Sequence, residues 1–175
     1  SENVVISSNQ HVVVNGEDVK SDMEDCLMYA KTIGVEKGSI VNLTYSPITT
    51  VFMMTLSVDS QSAKDFTIQN ISLIAPEGTD IAGTFSLKVA DGTFSGWGDS
   101  KSNKVSADIV DNATGGYYVL TRNKGSVTVP LFLVPVRNYD TEGKEVLLNT
   151  AGWQVKITAN NEVYTKTLAS KNIVA

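Results

Sequence analysis

One cysteine and one histidine stand in a chain of 175 residues, and their scarcity closes off most nucleophilic and metal chemistry at the outset. Cys26 has no partner for an intrachain disulfide, and beside Leu27 and Met28 it reads as a small apolar side chain rather than a reactive thiol. His11 would have to serve any Ser-His-Asp or Cys-His site, yet it lies in a short β-like run with no nucleophile motif beside it. The two cannot fill a zinc shell, and no D-x-[DN]-x-[DN]-G calcium loop occurs. No catalytic residue, metal or cofactor is expected. Carboxylate pairs are numerically available, but sequence does not supply the separation of about 5–9.5 Å that a glycosidase pair needs, so none is nominated.

Positive charge is also short. Fourteen Lys and Arg against nineteen Asp and Glu give a net charge of −5, with no basic cluster, so a nucleic-acid partner is not expected. No stretch approaches the ~20 apolar residues of a transmembrane helix, and no basic-plus-apolar signal segment precedes Ser1, which suits a mature or trimmed form. Four prolines and thirteen glycines argue against a low-complexity or collagen-like chain. Apolar residues at 42% and charged residues at 19% are ordinary for a globular domain with a substantial core.

What is present is alternation with a period of two. Over Ile81–Val89 the apolar positions Ile81, Phe85, Leu87 and Val89 share a face, the mark of a half-buried strand. Thr50–Val58 places Phe52, Met54, Leu56 and Val58 on one side with Val51 and Met53 on the other, which predicts a more central strand. In Asp65–Ala75 the parity changes from Phe66 and Ile68 to Ile71 and Leu73, which a one-residue bulge near Gln69-Asn70 would explain. Lys104–Val110, Gly116–Arg122, Ser126–Arg137, Gly152–Ala159 and Glu162–Leu168 repeat the strand signature. Asn160-Asn161 between the last two predicts a tight hairpin with positive φ. Two prolines, Pro130 and Pro135, make Ser126–Arg137 an edge or bulged strand.

Ser21–Lys31 carries Met23, Leu27 and Met28 at a spacing that suits either a helix or a strand. Many short strands without long amphipathic helices predict an all-β, antiparallel sandwich with at most one short helix. Phe52, Leu56, Phe85, Leu87, Leu131, Trp153 and Ile157 lie on the apolar parity of their strands and are the expected core. Gly92-Thr93-Phe94-Ser95-Gly96-Trp97-Gly98 lacks the Lys and the helix of a phosphate loop and reads as a turn. Its Trp97 either caps the core or, with Tyr117 and Tyr118, forms an aromatic ligand platform.

Asp25-Cys26-Leu27-Met28-Tyr29-Ala30-Lys31, followed by Ile40-Val41-Asn42-Leu43-Thr44-Tyr45-Ser46 and the apolar run to Leu56, resembles the fimbrillin-like proteins of Bacteroidales. There an aspartate, leucine and "YA" segment leads into a "V-L-F-x-H" strand, whose histidine is here Ser46. Ile71-Ser72-Leu73, Ile81–Leu87 and Glu162–Leu168 look like the same family, so the resemblance runs from about Met23 to the end. It implies a transthyretin-like sandwich, exported as a lipoprotein precursor, trimmed, and polymerised by β-strand exchange. Family members usually carry further strands upstream of the "YA" segment and beyond the position of Ala175, and a lipobox cysteine, which implies a trimmed piece here.

The implied role is a non-catalytic structural or adhesive subunit of a surface fimbria, extracellular and outer-membrane associated. Its partners would be other fimbrial subunits and ligands on host or bacterial surfaces. Residues 1–32 are expected as an N-terminal segment, strand-donating or part of a preceding domain, ahead of a sandwich over 33–175. Val4, Val5, Ile6, Val12, Val13 and Val14 at one end and Ile173 and Val174 at the other are the candidate exchanging strands, or else they pair within their own domain. The alternative is a secreted carbohydrate- or ligand-binding module built on Trp97, Tyr117 and Tyr118.

Overall fold

The computed structural model describes residues 2–173 except 17, 22, 60, 63, 89, 91, 93, 123–124, 135–136, 140–144 and 148. The chain opens with β1 (Glu2–Ile6), β2 (Asn9–Asn15) and β3 (Asp18–Ser21), then a 3-10 turn at Met23–Asp25, β4 (Met28–Ala30) and β5 (Tyr45–Pro47). β6 (Thr50–Ser57), β7 (Phe66–Ile74), β8 (Ala82–Leu87), β9 (Phe94–Ser102), β10 (Lys104–Asp111) and β11 (Tyr118–Leu120) follow. β12 (Ser126–Leu133), β13 (Arg137–Tyr139), β14 (Glu145–Leu147), β15 (Gln154–Ala159) and β16 (Glu162–Thr167) complete the order. The fold is all-β, and the described residues contain no α-helix.

The larger sheet runs β16-β15-β7-β10-β2-β3, with β11 beside the start of β7. Facing it are β1-β8-β9 and the pair β12-β6. Alternation decides what each sheet buries: Ile71 and Leu73 on β7, Ala107 and Ile109 on β10, and Val12 and Val14 on β2 all point into one core. Phe85, Val129, Leu131 and Leu133 reach the same core from the opposite layer. On the outward face Ser72 and Ser106 share a hydrogen bond of 3.1 Å, and Asn70 Nδ2 donates to Asp108 Oδ1 at 2.9 Å. The central strand pair is thus apolar within and polar without.

Of the expected core, Phe85, Leu87, Leu131, Trp153 and Leu56 are buried, whereas Phe52 and Ile157 are only half-buried. Ile157 lines the open groove described below. The parity change in β7 is a bulge: Thr158 pairs with Asn70 but Ala159 with Ile68, leaving Gln69 as the extra residue. Asn160 and Asn161 take φ of 52° and 64° in the β15–β16 turn.

Four expectations need correction. β6 is not central, since its partner among the described residues is β12 alone, with Val51 and Met53 exposed on its outer face. Ser21–Lys31 is neither a helix nor one strand, because Ser21 ends β3, a 3-10 turn intervenes and β4 begins at Met28. The Gly-rich stretch is not a turn, since Phe94–Gly98 is strand β9; Gly98 sits against Thr84, where a Cβ would crowd that side chain. Finally, the pairing is not wholly antiparallel, because β2 lies parallel to β10 from Asn9↔Ser106 to Val14↔Asp111.

Phe85 packs on Phe94 and Trp97 with ring centroids 5.8 and 6.5 Å away. Since it is wholly enclosed, Phe85→Ala is expected to cost about 3–5 kcal/mol, measured by urea denaturation; a loss below about 1 kcal/mol would contradict this packing.

Candidate functional site

The N-terminal segment passes from one layer to the other within two residues. β1 pairs antiparallel with β8 from Glu2↔Leu87 to Ile6↔Gly83, and β2 then lies on β10 in the opposite sheet. Val4, Val5, Ile6, Val12, Val13 and Val14 are therefore all paired within their own chain, and Ile6, Val12 and Val14 are core. Val5 is exposed and Val13 half-buried. Residues 1–32 do not stand apart: β1, β2 and β3 complete both sheets of the 33–175 sandwich.

Polar groups hold this crossing. Gln10 points inward on β2, where its Nε2 donates to the carbonyls of Phe132 (2.8 Å) and Ser7 (3.2 Å), while its Oε1 accepts the Phe132 N–H at 2.9 Å. One side-chain amide thereby satisfies both backbone groups of Phe132 and ties β2 to β12 across the core. Asp25, buried at the end of the 3-10 turn, accepts the Ser7 N–H on Oδ1 at 2.6 Å. Neither residue stood out in the sequence as functional, although Asp25 heads the "YA" segment. A polar residue on the apolar parity of a strand, as Gln10 is between His11-Val12 and Ser8-Asn9, was the available signal.

At the other end Asn172 forms an antiparallel bridge with Asn149, and the Thr150 N–H donates to the Lys171 carbonyl at 2.9 Å. Ile173 is half-buried against the core; Val174 lies outside the described residues.

The three platform aromatics are not brought together. Trp97 on β9 is wedged edge-on to Phe94 (5.5 Å) and Phe85, capping the core. Tyr118 is buried on β11 in the other sheet, and Tyr117 beside it is exposed. His11 is exposed on β2 and Cys26 is half-buried; among the described residues no group of three or more His, Cys, Asp or Glu could hold a metal ion. Nor is any described helix long and apolar enough to cross a membrane.

No family model, curated protein or solved structure matches this chain.

A second feature lies at the end of the sandwich away from the crossing. Between β6 and the β15–β16 hairpin the layers part, leaving a groove of about 560 Å³ walled by Met54, Leu56, Phe66, Ile157, Tyr164 and Leu168. β6 forms one lip with its outer edge unpaired among the described residues.

Two measurements check this geometry. Gln10→Leu would leave the buried N–H and C=O of Phe132 unpartnered and is expected to destabilise the chain by about 2–6 kcal/mol in urea titration, each orphaned group costing roughly 1–3. Burial, and secondarily the charge of Asp111, raises the Tyr118 pKa above the ordinary tyrosine value. A folded-state pKa above the unfolded one contributes stability that is complete below about 10 and lost as pH rises through the folded value. Tyr118→Phe is therefore expected to lessen the alkaline loss of stability above pH ~10, followed by denaturation at stepped pH.

Proposed function

We propose that this chain is a non-catalytic structural or adhesive subunit of a bacterial surface fibre of the fimbrillin-like kind, in which neighbouring subunits complete one another's sheets by strand exchange. The observation that carries this reading is the N-terminal crossing. A single terminal segment, β1 with β2, supplies an outer strand to one layer, an inner strand to the other and three core side chains, Ile6, Val12 and Val14. Contacts of that kind are main-chain ladders plus alternate apolar pockets, which an identical segment from a neighbour would satisfy equally well.

On this reading the subunit works outside the cell, associated with the outer membrane, and its partners are other fimbrial subunits together with ligands on host or bacterial surfaces. The resemblance of the Asp25–Lys31 and Ile40–Leu56 segments to fimbrillin-like proteins supports the same assignment.

The burial of Ile6, Val12 and Val14 changes what deletion would do. With three core side chains on the segment, deleting Asn3–Val14 would cost roughly 1–5 kcal/mol for each and unfold the monomer. A chain carrying an inserted protease site between β2 and β3, in the exposed turn at Gly16, avoids this problem. After cutting, the fragment of residues 1–16 is expected to stay bound, to exchange slowly for a fluorescent synthetic copy, and to link chains into oligomers visible by light scattering. Failure of the cut protein to capture the labelled copy, while still folded by circular dichroism, would overturn exchange through this end.

A further inference from the structure

Between β4 and β5 the chain leaves the sandwich and returns as an arm. Its root is fixed: the Ile48 N–H donates to the Leu27 carbonyl at 3.0 Å, Met28–Ala30 pairs with Tyr45–Pro47, and Lys31 Nζ donates to the Ala90 carbonyl. The Tyr29 ring lies over Gly92, in the space that a Cβ there would occupy. Beyond this root every residue from Lys31 to Thr44 is exposed.

The arm is not composed as a solvated loop. Ile33, Val35, Ile40, Val41, Leu43 and Tyr45 are exposed by between 43% and 90%. At roughly 100 Å² each they present on the order of 600 Å², the upper end of the patch a monomer ordinarily leaves open and approaching the ~800 Å² that one partner gives to a stable interface. Ser39-Ile40-Val41-Asn42-Leu43-Thr44-Tyr45 has no charge and no proline and alternates from Val41 onward, with Val41, Leu43 and Tyr45 on one face and Ile40 on the other. Such a seven-residue segment is a ready strand.

An acceptor exists on the same chain. Among the outer strands, β1, β3, β9 and β16 each carry Asp, Glu or Lys, the charges that ordinarily blunt a free edge, whereas Thr50–Ser57 of β6 carries neither charge nor proline. That edge borders the apolar groove. We infer that residues Ser39–Tyr45 of one copy add as a strand to the β6 edge of a second copy, with Val41 and Leu43 seated over the groove.

The arm cannot serve its own groove as readily as a neighbour's. Its root joins β6 at Ile48–Thr49, while the groove is walled by Met54–Asp59. Donor and acceptor thus sit toward opposite ends of an eight-residue strand about 25 Å long. A donor at one end and an acceptor at the other make a heterologous, head-to-tail contact, which builds a filament or, if the rotation closes, a ring. The inference rests on the reading of the chain as a self-assembling subunit, but it uses an internal arm where that reading uses the N-terminal strands.

Sedimentation velocity over a concentration series tests it, comparing the intact chain with the double variant Val41→Asp/Leu43→Asp. Both side chains are exposed, so the variant should keep the parent's circular dichroism and Tm. The intact chain is expected to form concentration-dependent head-to-tail oligomers, and two buried carboxylates should weaken association by at least ~100-fold. A synthetic peptide of residues 38–46 should cap the intact chain's oligomers, a readout that stands even if the variant folds poorly. An intact chain that stays monomeric throughout, a folded variant that assembles as well as its parent, or a peptide without effect each overturns the arm contact. If the variant still assembles while the cut chain exchanges its N-terminal fragment, the arm alone is wrong. If the variant loses assembly but no fragment exchanges, the terminal exchange fails and the arm stands.

Discussion

Gln10 reaches from β2 across the interior to the backbone of Phe132, and much of the sandwich depends on that contact. Two layers meeting face to face have no backbone hydrogen bonds between them, so their relative placement is left to apolar packing, which is non-directional. A buried amide that both donates to and accepts from one residue supplies the missing direction. It fixes the height of β12 against β2, and with it the position of Val129, Leu131 and Leu133 over Val12 and Val14. Because Nε2 also reaches Ser7, the same side chain sets where the N-terminal segment leaves one layer for the other. Asp25 holds Ser7 from the other side, so the crossing is pinned by two polar groups that each lose a partner if the segment shifts.

That crossing determines which edges are left. β2 covers β10, and β3 then ends the larger sheet with Asp18 and Lys20 on an exposed rim. β9 ends the opposing sheet with Asp99 and Lys101, and the Lys101 ammonium lies 3.6 Å from Asp80. β16 ends the far side with every residue exposed and with the charges of Glu162 and Lys166 along it. Each of these rims discourages pairing with another chain. β6 differs in composition and in setting, since it lines an apolar groove that the described residues leave open. An unprotected edge beside an unfilled groove is a liability in a monomer and an asset in a subunit.

The parts of the fold that were legible in the sequence are those set by local chemistry. The Gln69 bulge announced itself as a parity change between Ile68 and Ile71, and the Asn160-Asn161 turn as two residues tolerant of positive φ. What was not legible depended on partners distant along the chain. β6 reads as central because both its faces are apolar, but Val51 and Met53 face outward on an edge strand and only Met54 and Leu56 are enclosed. Gly96 and Gly98 look like turn residues, yet they serve strand β9; within the expected strand over Ile81–Val89, a Cβ on Gly83 would strike the Ser100 backbone, and the β8–β9 register is irregular beside it. The parallel pairing of β2 with β10 had no signal at all, since alternation reports which face is buried and not the direction of the neighbour. For the candidate site, the apolar N-terminal strands were visible as segments, but their commitment to the core was not.

Burial of Ile6, Val12 and Val14 also constrains how exchange could proceed. A neighbour's segment that replaced β1 and β2 would restore the same ladders and the same core side chains, so the swap is close to neutral in free energy and would be governed by concentration and by the opening rate. Opening is slow when it must break three ladders (β1 on β8, and β2 on both β10 and β3), three core contacts and the Gln10 and Asp25 bonds together. The arm carries no such cost. Its apolar face is already in water, so docking on a second copy gains burial without first losing any contact of the monomer. On the assembly reading the two devices therefore differ in kinetics more than in strength. An arm contact would form reversibly and first, holding neighbours at high effective concentration, and a terminal exchange would follow as the step that is difficult to undo.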